Sequence, residues 1–214
     1  RYRFRRARGE TVVNLGQSVQ GVARDLIPLL QDEDGNVRRM VVGLLGEMFR
    51  SDDRNPSSGG EAREIAKELL PLLKDKEIWV RMCAAYALGK MFRSDGRNPS
   101  SDGQSREVTQ ELVPLLKDED EDVRMHAADA LARIGAKEYA KELFPLLKDE
   151  NESVRGMAAI ALVELGEKGQ VPKDVIEDIK SALDWGGDCA ERAKAALKAL
   201  GVSAEDIRKA KEEE

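Results

Sequence analysis

This sequence of 214 residues is poor in the side chains that build metal centres and most catalytic sites. It contains one histidine, His126, and two cysteines, Cys83 and Cys189. A single histidine excludes every mechanism that needs several, and two isolated cysteines build no disulfide framework. We therefore expect no metal or other cofactor, and a reducing cytoplasmic setting.

The short motifs of common enzyme classes are missing as well. The sequence has no Cys-x-x-Cys pair, no His-Glu-x-x-His, no G-x-x-x-x-G-K-[ST] phosphate loop and no G-x-S-x-G nucleophile turn. These spacings hold the residues that bind zinc, cradle phosphate or expose a nucleophile. Their absence predicts that the protein is not an enzyme.

Long apolar runs are absent too, and acidic residues outnumber basic ones. No stretch approaches the roughly 18 apolar residues of a membrane span, so we expect no membrane partner. The net charge of −6 disfavours general binding to nucleic acid. Aromatic residues make up only 4% of the chain, but 41% of it is hydrophobic, which is enough to build a core.

What the sequence does contain is a repeat. Four segments align without gaps, and a degenerate fifth copy ends at Gly201. Each of the four has a proline in the same place, and successive prolines are 43, 43 and 31 residues apart. Such self-similarity is the signature of a protein whose units stack on one another. The aligned prolines are Pro28, Pro71, Pro114 and Pro145.

Each unit has the pattern of two helices joined by a short acidic turn. In the second unit Ile65 and Leu69 have helical spacing before the turn, and Val80, Ala84 and Leu88 have it after the turn. The proline lies four residues before a recurrent aspartate. Because proline cannot continue a regular α-helix, we predict a bend or break in the last turn of each first helix.

Two charged residues also recur in every unit. An aspartate lies in each turn, at Asp32, Asp75, Asp118 and Asp149. An arginine follows the first valine of each second helix, at Arg38, Arg81, Arg124 and Arg155.

The combined pattern P-L-L-K-D…V-R-x-x-A-A-x-A-L-x-x-x-G resembles HEAT repeats, most closely a short phycobilin-lyase-like subgroup, over about residues 17–201. The resemblance implies an all-α, right-handed α-solenoid of stacked antiparallel helix pairs. It also implies that the recurrent aspartates and arginines form a ladder between adjacent units.

We expect one solenoid domain over residues 1–214. Its helix pairs, numbered repeats 1 to 5, lie at 17–50, 58–93, 101–135, 137–166 and 173–201, and a polar cap follows at 202–214. Residues 1–16 align with the second half of a unit, with Phe4 and Arg5 at the places of Val154 and Arg155. We interpret them as a truncated leading repeat, as expected of a fragment, a processed product or an unusual cap.

Two inserted loops are more alike than the helices around them. The stretches FRSDDRNPSS and FRSDGRNPSS match at nine of ten positions, although loops normally diverge faster than helices. A turn alone does not require the Arg-Asn pair that each loop contains. Neighbouring repeats would present the two pairs side by side on one rim, where they are predicted to bind an acidic peptide or a phosphate. Helix capping and recent duplication also explain the identity. The four residues are Arg54, Asn55, Arg97 and Asn98.

One face of the second helix in repeat 2 carries an unusual set of apolar side chains. If Val80 and Leu88 face the core, a rotation of 100° per residue places Trp79, Met82 and Tyr86 on the opposite side. The resemblance implies that this side lines the concave surface of the solenoid. We call these three residues the aromatic stripe.

The other repeats differ at these positions. The place of Tyr86 is taken by Gly43, Asp129 and Ile160, and apart from Ile160 these are ordinary choices for a position facing solvent. Arg39 and Met125 occupy the place of Met82 in the flanking repeats and extend the patch sideways.

These residue types indicate a binding surface. Trp, Tyr, Met and Arg are enriched in the cores of protein interfaces, so we predict that the aromatic stripe anchors a partner. The alternative is that Trp79 only packs over Ile78 and the neighbouring turn.

The sequence therefore favours a non-catalytic scaffold that binds another protein or a peptide with its concave face and the two rim loops. Two alternatives stay open. One is an accessory or lyase-like module that holds a small molecule, such as a tetrapyrrole, in the groove. The other is a nucleic-acid binder that uses RYRFRRAR, which has five arginines in the first eight residues.

Overall fold

The computed structural model describes residues 21–49, 60–93, 103–167, 169, 171, 175–184 and 187–209, and in these ranges every regular element is a helix. The α-helices are α1 (Gly35–Met48), α2 (Gly60–Leu69), α3 (Ile78–Met91), α4 (Gly103–Leu112), α5 (Glu121–Ile134), α6 (Glu152–Glu164), α7 (Ile176–Ser181), α8 (Gly187–Ala199) and α9 (Ala204–Lys209). Segments of 3₁₀ helix lie at Ile27–Gln31, Leu70–Lys74, Val113–Lys117 and Lys137–Lys148.

These elements form a solenoid in which neighbouring repeats stack. The second helices of the first four repeats, α1, α3, α5 and α6, pack side by side in chain order. The first helices form the other layer, and each packs against the second helix of its own repeat. The prediction of an all-α solenoid is confirmed. Among the residues that the structure describes, none of the helices combines the length and the hydrophobicity needed to span a bilayer.

The conserved place of proline within each repeat explains how the first helices end. Helix α2 ends at Leu69, and Pro71 is the second residue of the 3₁₀ segment that follows. Proline has no amide hydrogen to donate to the preceding turn, so the α-helix cannot continue through it. The predicted break is confirmed in repeats 1 to 3. In repeat 4 the whole first helix, Lys137–Lys148, is 3₁₀ rather than α, with Pro145 inside it.

The core lies between the two layers and continues from repeat to repeat. On α3, Val80, Ala84 and Leu88 are completely buried, as predicted from their spacing. The second helices approach each other closely at small residues. A Cβ atom built on Gly89 of α3 would lie only 2.7 Å from the Cα of Ala130 on α5. This position therefore requires glycine, because a side chain would force the two helices apart.

The ladder of aspartates and arginines is present. Arg38 donates from Nε and Nη2 to the Asp75 carboxylate of the next repeat, at 2.8 and 2.7 Å. Its Nη1 donates to the Asp32 carbonyl oxygen in its own turn at 2.7 Å. The same bidentate arrangement recurs in the pairs Arg81–Asp118, Arg124–Asp149 and Arg155–Asp178.

The ladder prediction is thus confirmed, and the last pair extends it into the degenerate fifth repeat. Asp178 lies on α7, outside the set of aligned aspartates. Its backbone carbonyl oxygen would lie 2.5 Å from a Cβ built on Gly156. Glycine at this position of α6 lets α7 approach closely enough for Arg155 to reach Asp178.

Hydrogen bonding changes the acidity of the ladder. Burial acts to raise the pKa of the Asp75 carboxyl, but the hydrogen bonds from Arg38 and from the Glu77 amide outweigh it, so this pKa lies below its ordinary value. The pKa of Asp149 is lowered in the same way by Arg124 and the Asn151 amide. The folded protein therefore favours the ionised form of both carboxylates.

We predict that Asp75→Asn lowers the free energy of unfolding at neutral pH by about 2 kcal/mol, because Arg38 stays buried without its counter-charge. The pKa of Asp75 is lower in the folded state than the unfolded value near 3.9. The stabilisation it gives is therefore present above about pH 4 and lost as pH falls through the folded pKa. Urea denaturation between about pH 3 and pH 7 should show a weaker acid dependence for Asp75→Asn than for the wild type.

Glu119→Gln is the matched control, because this carboxylate lies 3.8 Å from Arg81 but is 87% exposed. It should leave the free energy of unfolding within about 0.5 kcal/mol of the wild type. Equal destabilisation by both variants would show that the ladder contributes no more than surface charge does.

We predict that two Gly→Ala substitutions on second helices change the free energy of unfolding in opposite directions. Gly89→Ala should destabilise the fold by about 1–3 kcal/mol, since the added methyl overlaps Ala130. Gly43→Ala should stabilise it by about 0.5–1 kcal/mol, because nothing lies within 4 Å of the new Cβ and alanine is the better helix former. Thermal and urea unfolding measure both, and a stabilising Gly89→Ala would contradict the close helix approach.

Candidate functional site

Helix α3 carries apolar side chains on both of its faces. The face with Val80 and Leu88 is buried in the core, while Trp79 on the other side is 57% exposed and Tyr86 is 36% exposed. An amphipathic surface helix normally presents polar residues on its outer side. The aromatic stripe is therefore an apolar surface that the fold itself leaves uncovered in the part of the chain that is described.

Contacts on three sides hold the Tyr86 ring. The ring meets the imidazole of His126 on α5 edge to face, with centroids 5.9 Å apart and planes at 81°. Lys90 Nζ lies 4.9 Å from its centroid, and the Arg133 guanidinium carbon 5.9 Å. These aromatic and cation–π contacts fix the ring without burying it. Tyr86 thus forms a packed aromatic surface beside the more exposed Trp79.

A contact between repeats 3 and 5 shows that this side is the inside of the curve. Arg192 on α8 forms an ion pair with Asp129 on α5, two repeats away. It also donates from Nε and Nη2 to Glu164 on α6, both at 2.7 Å. Side chains two repeats apart meet directly only where the helices converge. Asp129 is aligned with Tyr86, so the aromatic stripe lies on the concave side.

This network closes the concave face over repeats 3 and 4. Asp129 also accepts from Arg133 Nε at 2.8 Å and is only 3% exposed. Burial acts to lower the pKa of Arg192, but its hydrogen bonds to Glu164 and the charge of Asp129 raise it overall. The network joins repeats 3, 4 and 5.

The expectation that Asp129 faces solvent is therefore wrong. Asp129 is buried, and so is the aligned Ile160 of repeat 4, because α8 packs against α6 and brings Arg192 over both. The equivalent residue of repeat 1, Gly43, is exposed, as expected. The open part of the concave face is thus confined to the amino-terminal side of Asp129.

Sequence reasoning missed this charge network, although the alignment contains a signal for it. One aligned position, at or next to the last residue of each second helix, holds Glu47, Lys90, Arg133 and Glu164. Lys90 pairs with Glu47 of the preceding repeat. Opposite charges at one aligned position of neighbouring repeats, as in Glu47 and Lys90, predict a contact between the two units.

The other predicted site residues fall into two groups. Met82 and Met125 are half-buried and pack against the core beneath the surface, whereas Arg39 is exposed on α1. The loop residues Arg54, Asn55, Arg97 and Asn98 lie outside the residues that the structure describes. The structure therefore places the predicted site residues that lie on helices, and these are on the adjacent helices α1, α3 and α5.

The described residues show no group that would suit a metal ion. Within the ranges given above, no three His, Cys, Asp or Glu side chains are arranged to hold one. His126 Nδ1 lies 2.7 Å from the Asp122 carbonyl oxygen, and its ring packs on Tyr86.

Comparison with known proteins agrees with this architecture. A family model described as HEAT repeats matches residues 23–101 and 109–201. A search of curated proteins gave no match.

Several solved structures share the fold at low sequence identity. A designed armadillo repeat protein in complex with the peptide (KR)4 is 20% identical, with a TM-score of 0.53 and coverage of 90% of this chain and 86% of that one. A structure of computationally designed armadillo repeat proteins for modular peptide recognition is 22% identical, with a TM-score of 0.52 and coverage of 85% of this chain and 83% of that one. An engineered protein, target OR329, is 20% identical, with a TM-score of 0.53 and coverage of 88% of this chain and 83% of that one. At this identity the likeness shows the fold alone.

We predict that the stripe contributes little to folding. Trp79→Ala should lower the free energy of unfolding by less than about 1 kcal/mol, because most of its side chain is already in solvent. Tyr86→Ala should cost about 1 kcal/mol more than Trp79→Ala, through its lost contacts with His126 and Lys90. Leu88→Ala, a fully buried neighbour, should cost about 2–5 kcal/mol. Urea denaturation compares the three, and a Trp79→Ala cost as large as that of Leu88→Ala would identify Trp79 as core.

Proposed function

This chain belongs to the HEAT-repeat family, and on that basis we propose that it is a non-catalytic scaffold that binds another protein or a peptide. The observation that carries the proposal is the exposed Trp79 beside the immobilised Tyr86 on the concave side of α3. Large exposed apolar patches on folded domains mark interaction sites more often than they serve the fold.

The stripe has the physical features of a binding hot spot. Tyr86 is already held by His126, so a partner that packs on it does not have to order the ring. Trp79 offers a large apolar area that becomes buried only when a partner covers it. Met82 and Met125 lie half-buried beneath them and supply adaptable apolar contacts. Arg39 at the edge adds a charged group of the type common in interfaces.

The described surface supports a peptide better than an enclosed small molecule. The more specific resemblance, to the phycobilin-lyase-like subgroup, raised the possibility of a tetrapyrrole held in the groove. Such ligands are usually enclosed on most sides by a cavity. Trp79 instead lies on an open face, and the covered part of the concave side is filled by the charges of Arg192, Asp129 and Glu164. An open face suits an extended chain that lies across it.

We predict that binding depends on Trp79. Peptides selected from a random display library on the intact protein should bind Trp79→Ala about 30-fold more weakly, which corresponds to about 2 kcal/mol for a hot-spot residue. Fluorescence polarisation with the selected peptides measures this change. Val22→Ala is the matched control, because Val22 is also exposed and apolar but lies on the first helix of repeat 1.

The two variants separate the concave surface from other apolar patches. The control should bind as the wild type does, and both variants should unfold at the wild-type urea concentration within error. Binding that survives Trp79→Ala but is weakened by Val22→Ala would move the site away from α3.

A further inference from the structure

Opposite charges flank the aromatic stripe, and we infer that its partner is an extended peptide with an acidic and a basic residue about five positions apart and an apolar residue between them. The inference rests on the proposed function and names the class of peptide. It follows from three features: a cation at one edge, a carboxylate at the other, and a shallow depression in the middle.

Arg39 supplies the positive edge. It lies on α1 at the position that Met82 occupies on α3, and it is exposed. It has no ion-pair partner in the described part of the chain, unlike Arg38, which the ladder holds. Burial raises the pKa of the Cys83 thiol on α3, and the charge of Arg39 acts to lower it. Its charge is available to a carboxylate of a partner.

Asp122 supplies the negative edge. It lies on α5 at the position of Trp79, one helix further along the stack, and is half-buried. Its backbone carbonyl accepts from His126, but its carboxylate has no partner among the described side chains. The neighbouring Glu119 and Glu121 are exposed, while Asp118 is neutralised by Arg81. The side of the stripe towards repeat 3 is therefore acidic.

The two cations nearer the middle are already paired. Lys90 pairs with Glu47, and Arg133 pairs with Asp129. Glu77 extends its side chain over the backbone of Gly35 at the start of α1. Arg39 and Asp122, which have no ion-pair partner among the described residues, thus lie on opposite sides of Trp79.

A depression lies between them. Tyr86 packs on His126 of the next repeat, and by the same geometry a side chain at position 43 would pack on Cys83. That position is Gly43, which is exposed and has nothing within 4 Å of an added Cβ. The surface between α1 and α3 therefore lacks the side chain that fills this place between α3 and α5. An apolar side chain of a partner fits the space, with Trp79 and Tyr86 beside it.

The spacing follows from the helix stack. Adjacent second helices are about 9 Å apart, so Arg39 and Asp122, two helices apart, are separated by about 18 Å. An extended chain advances about 3.4 Å per residue, which places the two complementary charges about five residues apart. A uniformly acidic or uniformly basic peptide satisfies one edge and is repelled at the other.

The experiment is a selection from a random dodecapeptide display library on four intact proteins: wild type, Trp79→Ala, Arg39→Glu and Asp122→Lys. Peptides enriched on the wild type but not on Trp79→Ala should carry the mixed-charge pattern. Arg39→Glu makes both edges acidic and should shift the selection to peptides with two basic residues. Asp122→Lys makes both edges basic and should shift it to peptides with two acidic residues.

Affinities measured by fluorescence polarisation give the size of the effect. Each reversal should weaken the best wild-type peptide about tenfold. Glu68→Lys, an exposed reversal on α2, changes the net charge as Asp122→Lys does and should leave affinity and selection unchanged. Gly43→Leu should also weaken binding about tenfold, because it fills the depression, while urea unfolding shows no loss of stability relative to the wild type.

The outcomes separate this inference from the proposed function. If no peptide depends on Trp79, the proposed binding surface itself is wrong. If peptides depend on Trp79 but have no charge pattern, or keep the same pattern on Arg39→Glu and Asp122→Lys, the surface stands and the mixed-charge partner is wrong. Equal effects of Glu68→Lys and Asp122→Lys would reduce the charge dependence to net charge.

Discussion

The bidentate pairing of each ladder arginine with the aspartate of the next repeat determines how the repeats stack. Arg38 binds the carbonyl oxygen of Asp32 in its own turn and the carboxylate of Asp75 in the next one. It therefore holds one turn closed and sets the position of the following repeat at the same time. Because the pairing recurs, equivalent residues of successive second helices come to lie side by side. The concave surface is a consequence of that register.

Close approach at glycine completes the geometry that the ladder begins. Gly89 lets α3 contact the backbone of α5, and Gly156 lets α6 contact the backbone of α7. At both glycines the backbones of adjacent helices are therefore in contact. The curvature brings Arg192 to Asp129 across an intervening repeat. It divides the concave face into a part filled by paired charges and an open part around α3.

The open part is where the local rules of helix design are broken. A helix with one buried face normally carries polar residues opposite it, and at the place of Trp79 α1 and α5 carry Asn36 and Asp122. Helix α3 instead exposes Trp79 and Tyr86, at no evident gain to the fold. Sites where a sequence departs from such rules are those expected to carry function. In the proposed complex, the charges of Arg39 and Asp122 on either side of this apolar surface set the orientation of the bound peptide.

The sequence by itself determined the repeat, the helix pairs and the break at the prolines of repeats 1 to 3, and its resemblance to HEAT repeats implied the ladder. Each of these depends on residues within one unit or on a contact that recurs identically between neighbours, so one aligned pattern contains it. It also placed Trp79 and Tyr86 on a common face, since helical periodicity alone requires that. The burial of Asp129 and the pairing of Arg192 were decided only by the tertiary structure. They join residues 63 positions apart, and whether such residues meet depends on the curvature summed over three repeats.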